Sequence, residues 1–249
     1  MSEQPRKIRT SFICTIPSAV VTQALAHAGA DAVVIDQEHG AVGPENLHAM
    51  IASTAGTNCL PVVRVGKRDE AMVKLALDMG AAGITFPLVN SAEEARDCVA
   101  LTRYPPQGKR GFGPFVGHSR WGVSFDDYLP KIGSMIGCTV LIETGAAIDN
   151  IEAICAVEGI SALVLARLDL SVAMGCPGEY DNPVFVRAVE RFERAATAAN
   201  VPMSTVALSE HEVQSAVSRG YMGVMVGFDV LMLKSAATTA VKWAERVSM

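Results

Sequence analysis

The sequence predicts one α/β domain folded as a (β/α)₈ barrel, and three observations carry that expectation. Eight short apolar runs alternate with eight helical stretches along the chain. A joint recurs in which a glycine stops a helix just before an apolar run, as in Ala28-Gly-Ala-Asp-Ala-Val-Val-Ile35, Met79-Gly-Ala-Ala-Gly-Ile-Thr-Phe86 and Arg219-Gly-Tyr-Met-Gly-Val-Met-Val226. The length, 249 residues, suits one such barrel over residues 1–249. An open doubly wound sheet is the runner-up. It usually carries a glycine fingerprint after its first strand, and none stands here.

The elements follow in order. A strand over 11–16 leads to a helix over 18–27, and the second strand spans 32–36. A helix from 44 to about 54 precedes the strand 61–65, and a helix over 69–78 ends at Gly80 before the strand 83–89. Ser91 caps a helix to Leu101, with Glu93 and Glu94 favourably placed in its first turn. The period then breaks. Residues 104–135 are rich in glycine, proline and aromatics. Two apolar runs follow, 139–144 and 162–169, read as buried strands that run up to Glu143 and Arg167, with a helical stretch 147–155 between them. The polar loop 175–182, a helix from 183 to about 199, a strand 203–208, a helix 210–219, a strand 222–227 and a helix 230–246 complete the count.

Bulk properties narrow the function. A net charge of −5 without a basic cluster argues against a nucleic-acid partner. The apolar runs are far shorter than a membrane span, and Met-Ser-Glu-Gln-Pro-Arg-Lys is not followed by the apolar core of a signal peptide. A cytoplasmic enzyme is expected. The six cysteines show no CxxC spacing and none lies near a histidine at ligand spacing, so they are read as buried free thiols.

In a barrel of this kind the chemistry sits where strands end. The second strand ends Asp36-Gln37-Glu38-His39, four polar side chains directly after Val33-Val34-Ile35. His39 could act as a general base, with Asp36 or Glu38 fixing its tautomer. Arg64 ends the third strand and suits a carboxylate or enolate partner, or an ion pair with a rim acid. Glu143 and Asp169 end the two later runs, one crossover apart, and two hard oxygen ligands suit Mg²⁺ or Mn²⁺. Thr144 and Ser171 follow these acids and could orient them. Alternatively, either acid could simply serve a helix start. No lysine ends a predicted strand, which weakens a Schiff-base mechanism.

Asp36-x-Glu-His39, Arg64, Arg103-Tyr-Pro-Pro, Arg110-Gly, Ser119-Arg-Trp121, Ile142-Glu-Thr144 and Asp169-Leu-Ser171 together resemble the HpcH/HpaI aldolases, the class II pyruvate aldolases, in order over nearly the whole chain. The resemblance implies a (β/α)₈ barrel, often with its last helix swapped between subunits, assembled as a hexameric trimer of dimers. It implies Mg²⁺, Mn²⁺ or Co²⁺ on Glu143 and Asp169, chelated by a 2-oxo acid, with an aldehyde as the second substrate. It matches Arg64 to the arginine at the ketone oxygen, and His39, paired with Asp36, to a base acting through water. Residues 104–135 are expected to cover the mouth, with Arg120 and His118 at the aldehyde site.

Two departures stand out. Leu141 replaces a common glutamine, and Ala166-Arg167-Leu168 replaces the Gly-Pro-x that precedes the metal aspartate and lines the 2-oxo acid pocket. Ala166, Arg167 and Leu168 are therefore expected to touch that acid and to widen the range to hydroxypyruvate as well as pyruvate; alternatively, Arg167 could point outward or pair with Glu143 in a structural role. Two other readings stand beside the aldolase. A citrate lyase or malyl-thioester type lyase would need a basic coenzyme A groove, which is not evident. A non-catalytic barrel binding an oxo acid would be expected to carry an output domain.

Overall fold

The computed structural model describes residues 8–247, so the reading of Met-Ser-Glu-Gln-Pro-Arg-Lys lies outside the described residues. Eight parallel strands close into a barrel in the order in which they occur along the chain. They are β1 (Arg9–Cys14), β2 (Ala32–Asp36), β3 (Leu60–Arg64), β4 (Gly83–Phe86), β5 (Gly137–Ile142), β6 (Ala162–Leu165), β7 (Met203–Val206) and β8 (Gly223–Phe228). The helices are α1 (Ala19–His27), α2 (Pro44–Ala52), α3 (Glu70–Asp78), α4 (Ala92–Thr102), α5 (Gly117–Arg120), α6 (Phe125–Tyr128), α7 (Gly145–Asp149), α8 (Ile151–Cys155), α9 (Arg167–Ala173), α10 (Pro183–Ala198), α11 (Glu210–Ser218) and α12 (Asp229–Val247).

Local chemistry sets the helix ends. Ser18, Asp69, Ser91 and Ser209 each accept a backbone N–H from the first turn of the helix they precede. In the three repeated joints, Gly29, Gly80 and Gly220 take φ of +95°, +102° and +88°, the left-handed exit that favours glycine.

Side chains alternate inward and outward along each strand. Ile13, Val34, Leu141, Val164, Ala166 and Met225 meet inside the barrel, with Val62, Val206 and Phe228 against them. The outward residues, such as Val33, Ile35, Val63, Ile84 and Leu163, form the larger core with the helices. All six cysteines are free and buried.

The structure corrects three expectations. The run from Ala162 is a strand only to Leu165. Ala166 leaves the extended conformation at ψ 83°, and Arg167 opens α9. The stretch 147–155 is two short helices meeting at Asn150.

The third correction concerns 104–135, which joins the end of α4 to the start of β5. That connection lies at the end of the barrel where strands begin. Its contacts agree: Arg110 Nη2 bonds Asp78 at the last residue of α3 (2.8 Å), and Arg120 Nη2 bonds Thr54 just beyond α2 (2.7 Å). A Cβ on Gly80 would meet Arg120 Cβ at 2.8 Å. Within one chain the segment therefore packs at the end opposite the mouth.

The last helix is unlike the others. Asp229 anchors its start, taking Thr15 N (3.0 Å), Thr15 Oγ1 (2.8 Å) and Ile16 N (2.9 Å). Beyond it, residues 230–246 are all exposed, Leu231, Leu233, Val241 and Trp243 among them.

Candidate active site at the strand ends

Parallel pairing of β2 with β3 sets Asp36 beside Arg64, each the last residue of its strand. The two form a fork: Arg64 Nε donates to Asp36 Oδ1 at 2.9 Å, and Nη2 to Oδ2 at 2.6 Å. Asp36 also accepts the backbone N–H of Glu38 (3.0 Å) and of His39 (3.2 Å), which closes the loop over it. Burial alone would raise the Asp36 pKa, but the hydrogen bonds and charge of Arg64, with these two amides, outweigh it and hold the carboxyl below its ordinary value. Burial likewise opposes the charge on Arg64, and its bonds to Asp36 override that and raise its pKa.

The free side of Arg64 faces Glu38, with Nη1 3.2 Å from Oε2. That oxygen is buried and has no well-directed hydrogen bond. Burial pushes the Glu38 pKa up, with Asp36 and Asp169 adding to it against Arg64 and His39. The His39 ring does not sit against Asp36, which Arg64 occupies. It is 68% exposed, and its nearest acid is Glu38, at 3.8 Å from Nε2. The expected pairing of His39 with Asp36 is thus made by backbone alone.

Glu143 follows β5 and is buried. Its Oε1 accepts the backbone N–H of Leu88 at 2.6 Å. Leu88 holds φ +53°, left-handed backbone that costs a leucine about 1–2 kcal/mol. Burial raises the Glu143 pKa, and Glu38 and Asp169 raise it further, against the Leu88 amide and Arg64. Asp169 lies in the first turn of α9, exposed, where the helix dipole favours a negative charge.

Thr144 and Ser171 do not touch these acids. Thr144 caps α7 and bonds Asn90, while Ser171 donates to the Leu168 carbonyl (2.7 Å) and accepts from Gly178 N (2.9 Å). The Leu88 amide takes the part expected of Thr144. A side-chain pattern does not reveal a backbone donor, so sequence reasoning missed it. Asp229 was also missed, although its place after an apolar run was a visible signal.

Ala166 faces the barrel interior, and Leu168 is exposed beside Asp169. Arg167 turns the other way. Its guanidinium stacks 4.3 Å from the centre of the Tyr180 ring, and it lines a cleft with Glu193, His211, Arg219 and Tyr221, on α10, on α11 and in the loop after it. Arg120 and His118 belong to the segment at the opposite end. His118 Nδ1 is 3.1 Å from the Pro114 carbonyl oxygen.

Glu38, Glu143 and Asp169 thus act on one another electrostatically, with Arg64 as the cation among them. Among the described residues no group of three or more His, Cys, Asp or Glu is arranged to hold a metal ion. A smaller donor set fits a hard divalent ion instead. It offers two carboxylates, Glu143 and Asp169, whose crowding a cation would relieve, and leaves positions for water and substrate.

A profile of the HpcH/HpaI aldolase/citrate lyase family matches residues 12–236. The chain belongs to that family. It is 33% identical over 220 residues to the 2-dehydro-3,6-dideoxy-6-sulfogluconate aldolase of Pseudomonas putida, spanning 88% of this chain and 86% of that one. It is 31% identical, over 88% of its length and 82% of the other, to the 2-keto-3-deoxy-L-rhamnonate aldolase of Escherichia coli K12. A solved HpcH/HpaI family protein from Burkholderia cenocepacia superposes with a TM-score of 0.88 at 28% identity, covering 96% of this chain and 95% of the other. Like its HpcH/HpaI relatives, the chain is a carbon–carbon lyase of the class II aldolase type, acting on small molecules. The family is generally dependent on a divalent metal.

Proposed function

We propose that this aldolase makes or breaks the bond between C3 of a 2-oxo acid, pyruvate or hydroxypyruvate, and the carbonyl carbon of an aldehyde. Glu143 and Asp169 would hold Mg²⁺, Mn²⁺ or Co²⁺, which when bound supplies Lewis acidity toward the oxo acid. The observation that carries the reading is the Arg64 guanidinium, forked to Asp36 and 3.2 Å from Glu38, at the rim where Asp169 acts electrostatically on both Glu38 and Glu143.

Arg64 is fixed in place by Asp36, so its outer face offers a preorganised positive charge where the ketone oxygen turns negative. His39, exposed and 3.8 Å from Glu38, would exchange a proton with water at the mouth. In this reading Ala166, which faces the barrel interior, and Leu168, exposed and next to Asp169 in the chain, would line the oxo acid. The relatives' names are those of 2-keto-3-deoxy sugar acids, whose retro-aldol cleavage between C3 and C4 gives a three-carbon 2-oxo acid and an aldehyde; an acid of that class is the substrate proposed here. The exposed apolar residues of α12 support a homo-oligomer, proposed as a hexamer with α12 exchanged between subunits. A cytoplasmic location fits, and no helix among the described residues is long and apolar enough to cross a membrane.

The test is aldol and retro-aldol turnover of pyruvate or hydroxypyruvate with a simple aldehyde, with and without EDTA. Activity lost to EDTA and regained with Mn²⁺ or Mg²⁺ supports the reading. Turnover indifferent to EDTA, or none with either acid, overturns it.

A further inference from the structure

The loop from β4 to α4 carries a closed set of bonds around one strained residue. Leu88 is one of two non-glycine residues with positive φ among those described, and its N–H points at Glu143. Its carbonyl is held from two sides, by Arg68 Nη1 at 3.2 Å and by Asn90 Nδ2 at 3.1 Å. Glu94 ties both holders down. Its Oε1 accepts from Arg68 Nη2 (2.7 Å) and its Oε2 from the Asn90 N–H (2.6 Å). Asn90 is fixed again through its own carbonyl, which takes Asn150 Nδ2 at 2.8 Å, and through Thr144 Oγ1 on its side-chain oxygen. Thr144 is the next residue after Glu143, so the circuit returns to the carboxylate it began from.

A leucine keeps left-handed backbone only where its surroundings over-determine it. Here the determinants are three polar side chains, and what their arrangement aims is a single amide. We infer that Arg68, Asn90 and Glu94 are positioning residues for Glu143, acting through the backbone of Leu88. Without the bracket Leu88 relaxes to negative φ, its N–H turns away, and the Glu143 carboxylate is free to rotate. The inference rests on the reading of Glu143 as a metal ligand and adds what orients it. Groups that orient a ligand typically change metal affinity when removed, even when the fold survives.

The test is Mn²⁺ binding by isothermal titration calorimetry, with thermal melting on the same samples, for the wild type, Glu143→Gln, Asn90→Ala, Glu94→Gln and Leu88→Gly. Asn90→Ala and Glu94→Gln are expected to weaken Mn²⁺ binding by roughly 10–100-fold while melting close to the wild type. Leu88→Gly keeps the N–H and accepts left-handed backbone, so it is expected to bind within about threefold of the wild type. Should Asn90→Ala fail to fold, Glu94→Gln and Arg68→Met carry the same question. Binding lost in Glu143→Gln but kept in the bracket variants overturns the inference alone. Binding lost only in step with a collapsed melting temperature also overturns it. A wild type that takes up no Mn²⁺ overturns the metal reading itself, and the inference with it.

Discussion

The guanidinium of Arg64 closes on the carboxylate of Asp36 through two bonds, one of them 2.6 Å long, at a point where Asp36 is completely buried. Removing Asp36 strips the largely buried Arg64 of both fork bonds and leaves it only its contact with Glu38. Asp36→Ala is expected to lower unfolding free energy by about 3–5 kcal/mol, read from urea denaturation, and to reduce kcat by freeing Arg64 to move.

The same pair sets a pH limit. The Asp36 pKa lies below its ordinary value of 3.8, so its contribution is complete above that pH and is lost as pH falls through the lower folded value. Glu38 and Glu143 act in the opposite sense. Their pKa values are raised, so their charge opposes folding above the folded pKa, and protonation relieves that opposition as pH falls toward 4.5. Metal-free protein is expected to hold or slightly gain melting temperature from pH 7 toward pH 5, and to lose it below about pH 4. A monotonic fall from pH 7 downward would contradict the raised values of Glu38 and Glu143.

Glu143→Gln separates stability from activity. Glutamine keeps an acceptor for the Leu88 N–H and removes one charge from a crowded set. The metal-free variant is expected to melt at or above the wild-type temperature, with a gain of at most about 1 kcal/mol. Its kcat/KM should fall about 1,000-fold or more, the scale of several kcal/mol at the reacting oxygen. Parallel melting and steady-state assays check this.

Arg167 faces away from the mouth and stacks on Tyr180. Arg167→Ala is expected to cost about 0.5–1 kcal/mol of stability and to leave the ratio of kcat/KM for pyruvate and hydroxypyruvate unchanged. A shifted ratio would show that the guanidinium swings into the pocket during turnover.

Burial pushes the thiols of Cys14 and Cys138 up to about 12, and those of Cys59 and Cys155 to about 11. Ellman's reagent at pH 8 is therefore expected to label none of these four in the native protein within minutes, and all of them in denaturant.

The periodic parts of this fold were legible in the amino acids. The second strand was read with the bounds it has, because Ala32–Asp36 sits between a glycine joint and a polar turn. Asp69 and Ser91 marked their helices because a capping oxygen is a local device. Asp36, Arg64 and Glu143 were singled out as candidates because a charged residue after an apolar run is conspicuous, and all three stand at or just past a strand end. Three things were missed. The stop of β6 at Leu165 was hidden, since an apolar run serves a strand and a helix equally well. The partner of Asp36 depended on register across two strands, which placed Arg64 rather than the His39 ring against it. The place of residues 104–135 followed from parity of connection: a segment between a helix and the next strand lies at the strand-start end, whatever its composition.

That last placement has an evolutionary consequence. The connections that follow strands and those that precede them lie at opposite ends of the barrel, with a packed layer of Ile13, Val34, Leu141 and Val164 between. A lineage could lengthen, shorten or recolour the surface around Phe112 and Phe115, both exposed, without disturbing Glu143 within the same chain. Innovation in what the enzyme touches and innovation in what it converts can proceed on separate faces, each screened by selection on its own.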